Sequence, residues 1–450
     1  MTIARRGRMV FWLTRELSRK YTKFLIAGIV IGTLCISVII RLWPVVASKY
    51  FAPTLNVGIV GEYTPSDLPD SILSKISIGL TAVGPSGEAL PSLADSWNAT
   101  DSGKTWIFHV KKMPMWQDGT PLRLSDIHYN IKDVQFSTKG NDIIAQLKSP
   151  YGPFPLIVSK PLFKQGLTGL GGYMVDKLVL KGDKVSLLRL IPVDKTVHRA
   201  VEYRVYTTEN LAMTAYKLGE IDRIEDLSAI EQSTRQFVNT TVESPTMYNR
   251  IVALYFNLSD PLLKEKNVRQ ALAFAVPPID GYEQALSPIS KTSWAYSPDL
   301  KKYSYDMKAA GKLLAPVSSG SLSGELTIVT FSQYLDVAQK IASSWNLLGI
   351  KTQVRVENRL PDSFQVLVSA HDLPSDPDQY ALWHSSQERT NITGYNNPKI
   401  DKLLEDGRQE LSPDIRRKLY LDFQKRFMED IPAFPLYYPK TYTITRKQIL

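Results

Sequence analysis

A single cysteine, Cys35, stands in 450 residues. This scarcity excludes an internal disulfide framework and any cysteine-based metal site. Histidine is sparse as well. The five, His109, His128, His198, His371 and His384, form no pair at zinc-binding spacing such as H-x-x-x-H. There is no G-x-S-x-G elbow and no Walker motif. No acid, base and nucleophile converge in the sequence, so nothing in it requires catalysis, and neither a cofactor nor a metal is expected. Most of the chain also lacks an excess of one charge. The net charge is +10, but residues 1–23 hold Arg5, Arg6, Arg8, Arg15, Arg19, Lys20 and Lys23 against Glu16, which accounts for +6. A nearly balanced body without a basic, aromatic-interleaved groove does not suit nucleic acid.

What is present begins with an uncharged run, Phe24 to Ile40, of 17 residues. That is the lower edge of a spanning length. Arg41 can snorkel and Trp43 suits the membrane interface. A buried core helix would show a polar face, and this run shows none. The expected layout is a cytoplasmic basic tail over 1–23 and a transmembrane anchor over 24–47. Because positive charge precedes the span, everything after residue ~50 is expected outside the cytoplasm. Val45-Val46-Ala47 offers a small-residue cleavage site, but the apolar core exceeds the usual signal length, so an uncleaved anchor is favoured.

The remaining length suits two or three domains, with globular contents of 44% apolar and 22% charged residues. Leu93 to Asp126 reads as a hairpin, a loop and a helix start. Asp101 to Lys104 forms a turn, and Trp106, Phe108 and Val110 alternate with more polar neighbours as a half-buried strand. Asp118-Gly119-Thr120-Pro121 is a second turn, and Ser125 offers an N-cap to a helix from about Asp126 to Asp133. Further on, Glu209 to Leu218 reads as a helix stopped by Gly219, with Leu211, Thr214, Ala215 and Leu218 on one face. A strand over 251–256, a helix near 268–276, and strand, helix and strand over 326–330, 337–348 and 351–356 argue for a second α/β unit. The glycines between Gly166 and Gly172 lack the Lys-Ser/Thr of a phosphate loop and read as a tight turn. Glu220 and Asp222 read more readily as an acidic turn than as a carboxylate pair, and Arg269 as a structural tie.

The order of these pieces carries a resemblance. "P-x-LA-x-SW" at Pro91 to Trp97, "W-x-F-x-V-K" from Trp106 and "W-x-DGTP" from Trp116 to Pro121, with Asp126 after them, resemble the first lobe of the family 5 extracellular solute-binding proteins. So do "L-x-x-GEID"-like residues at 218–222, "VRQALAFAV" at 268–276, "N-x-x-GY-x-N-P-x-x-D-x-LL" at 391–404 and "PLYY" at 435–438. The resemblance covers roughly 55–445. It implies an α/β body of two lobes, periplasmic-binding-protein-like (type II, the large peptide-binding class), here carried on an N-terminal transmembrane helix. Lobe I would take 50–255, with 435–450 returning to it, and lobe II 256–434.

The resemblance implies capture of a solute, an oligopeptide first, by lobe closure and its delivery to the permease subunits of an ABC importer. The alternative is a membrane-tethered sensor or envelope interaction protein of the same fold. In peptide-binding relatives an aspartate a few residues before a "D/E-P" step holds the α-amino group. The matching position here is Asp372, with one extra residue before Asp376-Pro377; Asp372 as a loop cap remains open beside it. The Gly-Trp usual before this aspartate is replaced by Ser369-Ala370, and the neighbouring His371 opens a metal-chelate alternative. The candidate ligand residues are therefore Asp372, His371 and Asp376.

Overall fold

The computed structural model describes residues 54–447 apart from 112, 128, 195, 197–198, 232–233, 235–236, 238 and 318–323, together with isolated positions between 12 and 37. The basic tail and the apolar run Phe24–Ile40 lie almost wholly outside them. Among the described residues no helix is long and apolar enough to cross a membrane.

Among the described residues three larger sheets carry the body, besides a two-stranded ribbon, Thr81–Val83 with Ala89–Pro91. The first has seven strands in the order Thr240–Glu243, Tyr442–Arg446, Arg223–Leu227, Thr54–Val60, Ala200–Tyr206, Lys184–Pro192 and Tyr173–Lys181. Thr54–Val60 runs parallel to both of its neighbours, so the carboxyl ends of three adjacent strands, at Val60, Tyr206 and Leu227, share one edge. The helix Glu209–Leu218 covers this sheet and ends where the sequence places its stop, with Gly219 in the left-handed region at φ 80°. Its buried face differs in part from the expected one. Ala212, Ala215 and Tyr216 face inward, while Leu211 and Leu218 are exposed. The alanines let the helix approach the sheet, and the Tyr216 ring bonds Thr240 and stacks under Arg446.

The second sheet has six strands, Glu283–Gln284, Ala433–Tyr438, Arg250–Phe256, Val366–Asp372, Leu326–Thr330 and Thr352–Val356. Its centre, Arg250–Phe256, is apolar from Ile251 onward and buried on both faces, as a strand with packed layers on either side must be. The helix Leu335–Leu347 lies on one side, where Trp345 stacks on Phe256. The long helix Pro413–Asp430 lies on the other, where Phe427 meets Trp383. The chain passes between these sheets twice, through 244–249 and 439–441. The crossings therefore fall outside the strands that boundaries at 255/256 and 434/435 would divide. The two crossing segments pair with each other through Met247 N–H to Pro439 O, 2.8 Å, and a bridge between Thr246 and Lys440.

A four-stranded antiparallel sheet, Ser96–Thr100, Thr105–His109, Asp142–Leu147 and Val134–Lys139, forms a smaller body. Trp106, Phe108 and Val110 are buried as their alternation requires. The helix expected after Asp126 is absent among the described residues. Leu124–Asp126 is a 3-10 turn closed by Arg123 N–H to Asp126 Oδ2. Tyr129 is drawn into the core instead, its hydroxyl accepting from Leu80 N–H and donating to Val158 O. The glycine-rich turn fastens this body to the first sheet. Gln117 donates to Ile76 O, Gly171 O and Tyr173 O and accepts from Gly169 N–H.

Candidate functional site

Parallel α/β sheets present their loops and ligand sites at the carboxyl ends of their strands. Both large sheets turn that edge toward the paired crossing segments. On the first sheet the edge carries Tyr63, just past Val60, and Asp226, an exposed residue at φ 59° in a strand bulge. On the second it carries Asp372 at the end of its strand, Tyr334 just past Thr330, and Arg250 opposite Asp372.

Arg250 and Asp372 are cross-strand partners in register, and they bond twice: Nε to Oδ1 at 2.6 Å and Nη2 to Oδ2 at 3.0 Å. Both remain open, with side chains 44% and 66% exposed. The bonds from Asp372 hold the Arg250 guanidinium above its ordinary pKa, and Asp226 and Tyr334 add to that. Burial raises the pKa of the Tyr63 phenol, and Asp226 raises it further. One carboxylate of the first sheet thus acts on Tyr63 and on Arg250 of the second sheet. The site can present a carboxylate, a guanidinium and phenols to a small ligand with charged ends.

His371 does not share this site. Successive residues on a strand point to opposite faces, so His371 lies behind Asp372, against Tyr255 and Trp383. Burial lowers its pKa to about 4. Burial also keeps the Tyr255 phenol protonated, which makes that hydroxyl the donor to His371 Nδ1. The ring proton then sits on Nε2, which is buried without a partner among the described residues.

Asp376 is also elsewhere. It is buried under the long helix in a bidentate pair with Arg416, at 2.6 and 3.1 Å. Burial pushes its carboxyl up against the pull of Arg416. For Arg416, burial opposes the cation, but the Asp376 charge and hydrogen bonds outweigh it and raise its pKa. Two other positions prove structural. Asp222 accepts from the Asn56 backbone and side chain, and Arg269 donates to the carbonyls of Leu263, Lys264, Asp430 and Ile431. Glu220 is exposed. Among the described residues no group of three or more His, Cys, Asp or Glu is placed to hold a metal ion. Sequence reasoning missed Arg250, Asp226, Tyr63 and Tyr334. Their only local signal was a position at a strand end.

The model of the bacterial extracellular solute-binding proteins, family 5 Middle, matches residues 137–391. The chain belongs to this family. It is 28% identical over 277 residues to the oligopeptide-binding protein AppA of Bacillus subtilis, a match spanning 54% of this chain and 51% of AppA. It thus spans about half the length of that relative. With the periplasmic murein peptide-binding protein MppA of Escherichia coli it is 22% identical over 451 residues, covering 82% of this chain and 83% of the relative. Among solved structures, NikZ from Campylobacter jejuni in complex with Ni(L-His) superposes with a TM-score of 0.70 at 22% identity, over 88% of this chain and 94% of that one. The unliganded open form of MppA gives 0.71 at 18% identity, over 87% and 93%. These likenesses establish a mixed α/β fold of the two-lobed family 5 kind.

Proposed function

We propose that the chain captures a small solute, a short peptide first, in the cleft between its two large sheets and delivers it to an ABC importer by lobe closure, without covalent chemistry. The observation that carries this reading is the half-exposed Arg250–Asp372 pair at the carboxyl edge of the second sheet, within electrostatic reach of Asp226 on the first. A peptide's ammonium finds Asp372 and Asp226, and its carboxylate finds Arg250. Two short paired crossings between the lobes suit a hinge. The names of the relatives AppA and MppA, which bind peptides, support the ligand class. The uncharged run Phe24–Ile40 would tether the chain by its amino end, with the lobes outside the cytoplasm and near the permease subunits.

A thermal-shift series tests this on the full chain in detergent micelles, with di- to pentapeptides, amino acids and nickel chelates. A ligand at a hundredfold its Kd raises stability by about 2.7 kcal/mol. A peptide response lost in Asp372→Ala is the expected result. A response to peptides that persists in that variant removes Asp372 from the site. No response across the panel would turn the weight to the tethered-sensor alternative.

A further inference from the structure

The strands Ala433–Tyr438, Arg250–Phe256 and Val366–Asp372 lie side by side in the second sheet. Tyr437 pairs with Val252, which stands two residues from Arg250 and so on the same face. Asp372, Arg250 and Tyr437 therefore share one face at one edge of the sheet, with Arg250 between the other two. The Tyr437 ring in turn meets that of Tyr282, with centroids 4.4 Å apart. The second crossing segment fastens Tyr282 in place, for Lys440 Nζ donates to Gly281 O at 2.6 Å and lies 5.9 Å from the Tyr282 ring.

Tyr282 and Tyr437 also line a cavity of about 350 Å³, at the lower end of the range of small-molecule sites. Residues 276–305 and 434–437 supply all of its lining, and none of the lining residues is charged. Tyr303, Phe434 and Leu436 are buried within it, whereas Tyr282 and Tyr305 are exposed, so it opens to water at those two rings. A charged side chain entering it would leave water without meeting a counterion, which is costly; an aromatic one would meet only rings and methyl groups. Burial raises the pKa of the Tyr282 and Tyr437 phenols, and Tyr334, the phenol that acts on Arg250, adds to both. Cavity and ion pair are thus neighbours on one face.

We propose that this cavity takes the side chain of the ligand's carboxyl-terminal residue and selects an aromatic one. This selectivity rests on peptide capture at the Arg250–Asp372 pair and gives that capture a substrate class: short peptides that end in phenylalanine, tyrosine or tryptophan. With its carboxylate on Arg250 and its ammonium toward Asp372, the peptide runs away from Tyr437, so its last residue is the one beside the cavity. There the ring packs among the tyrosines in offset or edge-on contact. A ring on the first residue of an extended tripeptide would stand about 7 Å further off.

Isothermal titration of the full chain in detergent micelles compares Ala-Ala-Phe, Phe-Ala-Ala and Ala-Ala-Ala. Ala-Ala-Phe is expected to bind at least about tenfold more tightly than Ala-Ala-Ala, the effect of burying one ring, and Phe-Ala-Ala to bind like Ala-Ala-Ala. Ser304→Trp and Gln284→Trp fill the cavity from two exposed positions of its lining. Each should bring Ala-Ala-Phe down to the level of Ala-Ala-Ala, and whichever keeps the wild-type unfolding midpoint decides the point. Equal binding of the three peptides, tighter binding of Phe-Ala-Ala, or a preference for Ala-Ala-Phe that survives in a folded filled variant would overturn the proposal and leave peptide capture standing. Binding of none of the three would overturn peptide capture and the proposal with it.

Discussion

Arg250 and Asp372 stand directly opposite each other on neighbouring antiparallel strands and share two hydrogen bonds, at 2.6 and 3.0 Å, on the face away from His371. The pair is open to water, so each partner is available to a ligand and neither contributes much to the fold. An exposed pair of this kind is worth about 1 kcal/mol or less.

Arg250 therefore competes with a ligand's ammonium for Asp372. Arg250→Ala should leave the unfolding free energy within about 1 kcal/mol of wild type. It should also tighten binding of ligands that present only a cation, and weaken binding of those that also present a carboxylate. Isothermal titration with a peptide and its C-terminal amide separates the two. Equal changes for both would show that Arg250 does not read the carboxylate.

His371 gives a pH dependence whose sign is fixed by burial. Its pKa is about 4 in the folded chain against 6.5 for an ordinary histidine. Above pH 6.5 the ring is neutral in both states and the linkage is silent. As pH falls from 6.5 to 4 the unfolded chain takes up the proton first, so stability declines, and below 4 the loss levels off. The loss reaches at most about 3 kcal/mol. Carboxylates titrate in the same window, so the measurement is a difference. Urea unfolding of wild type and His371→Gln at pH 7 and pH 4.5 should show a smaller decline in the variant.

Local pattern made much of this legible in advance. The alternation of Trp106, Phe108 and Val110 gave the buried face of their strand, and Gly219 gave the end of its helix, because both are decided by neighbours in sequence. The buried face of that same helix was only partly legible. Counting leucines favoured Leu211 and Leu218, whereas close approach to the sheet selected Ala212 beside the expected Ala215. The helix expected after Asp126 lost to a tertiary demand, the pull of Tyr129 toward Leu80 and Val158. The candidate site was less legible. The motif singles out Asp372 as an expectation, whereas its cross-strand partner lies 122 residues away and meets it only through strand register. His371 and Asp376, near it in sequence, are turned elsewhere by the strand pleat and by the long helix.

The glycine contacts of the small body make a sharp prediction. Gly152→Ala sets a Cβ against the Glu410 carbonyl, and backbone cannot yield as a flexible side chain does. The expected cost is about 1–3 kcal/mol, with the loss confined to the junction. Limited proteolysis should release the small body at protease levels that leave wild type whole, while circular dichroism stays unchanged. Wild-type resistance would mean that the junction relaxes around the methyl group.

Asp376 and Arg416 distinguish a structural pair from a ligand pair. Both are buried, they bond twice, and Arg416 also donates to Gly407 O at 2.9 Å. Removing one partner strands the other's charge in the core. Asp376→Ala and Arg416→Ala should therefore each cost about 3–5 kcal/mol, whereas replacing both together by apolar residues of similar size should cost far less than the sum. Denaturant unfolding of the two single variants and of Asp376→Leu with Arg416→Met completes the cycle. If Asp376 instead served the interlobe cleft, Asp376→Ala would leave stability near wild type and weaken peptide binding. The burial of the pair and its separation from Asp372 argue for the opposite outcome: a large loss of stability, and unchanged peptide affinity in whatever fraction remains folded.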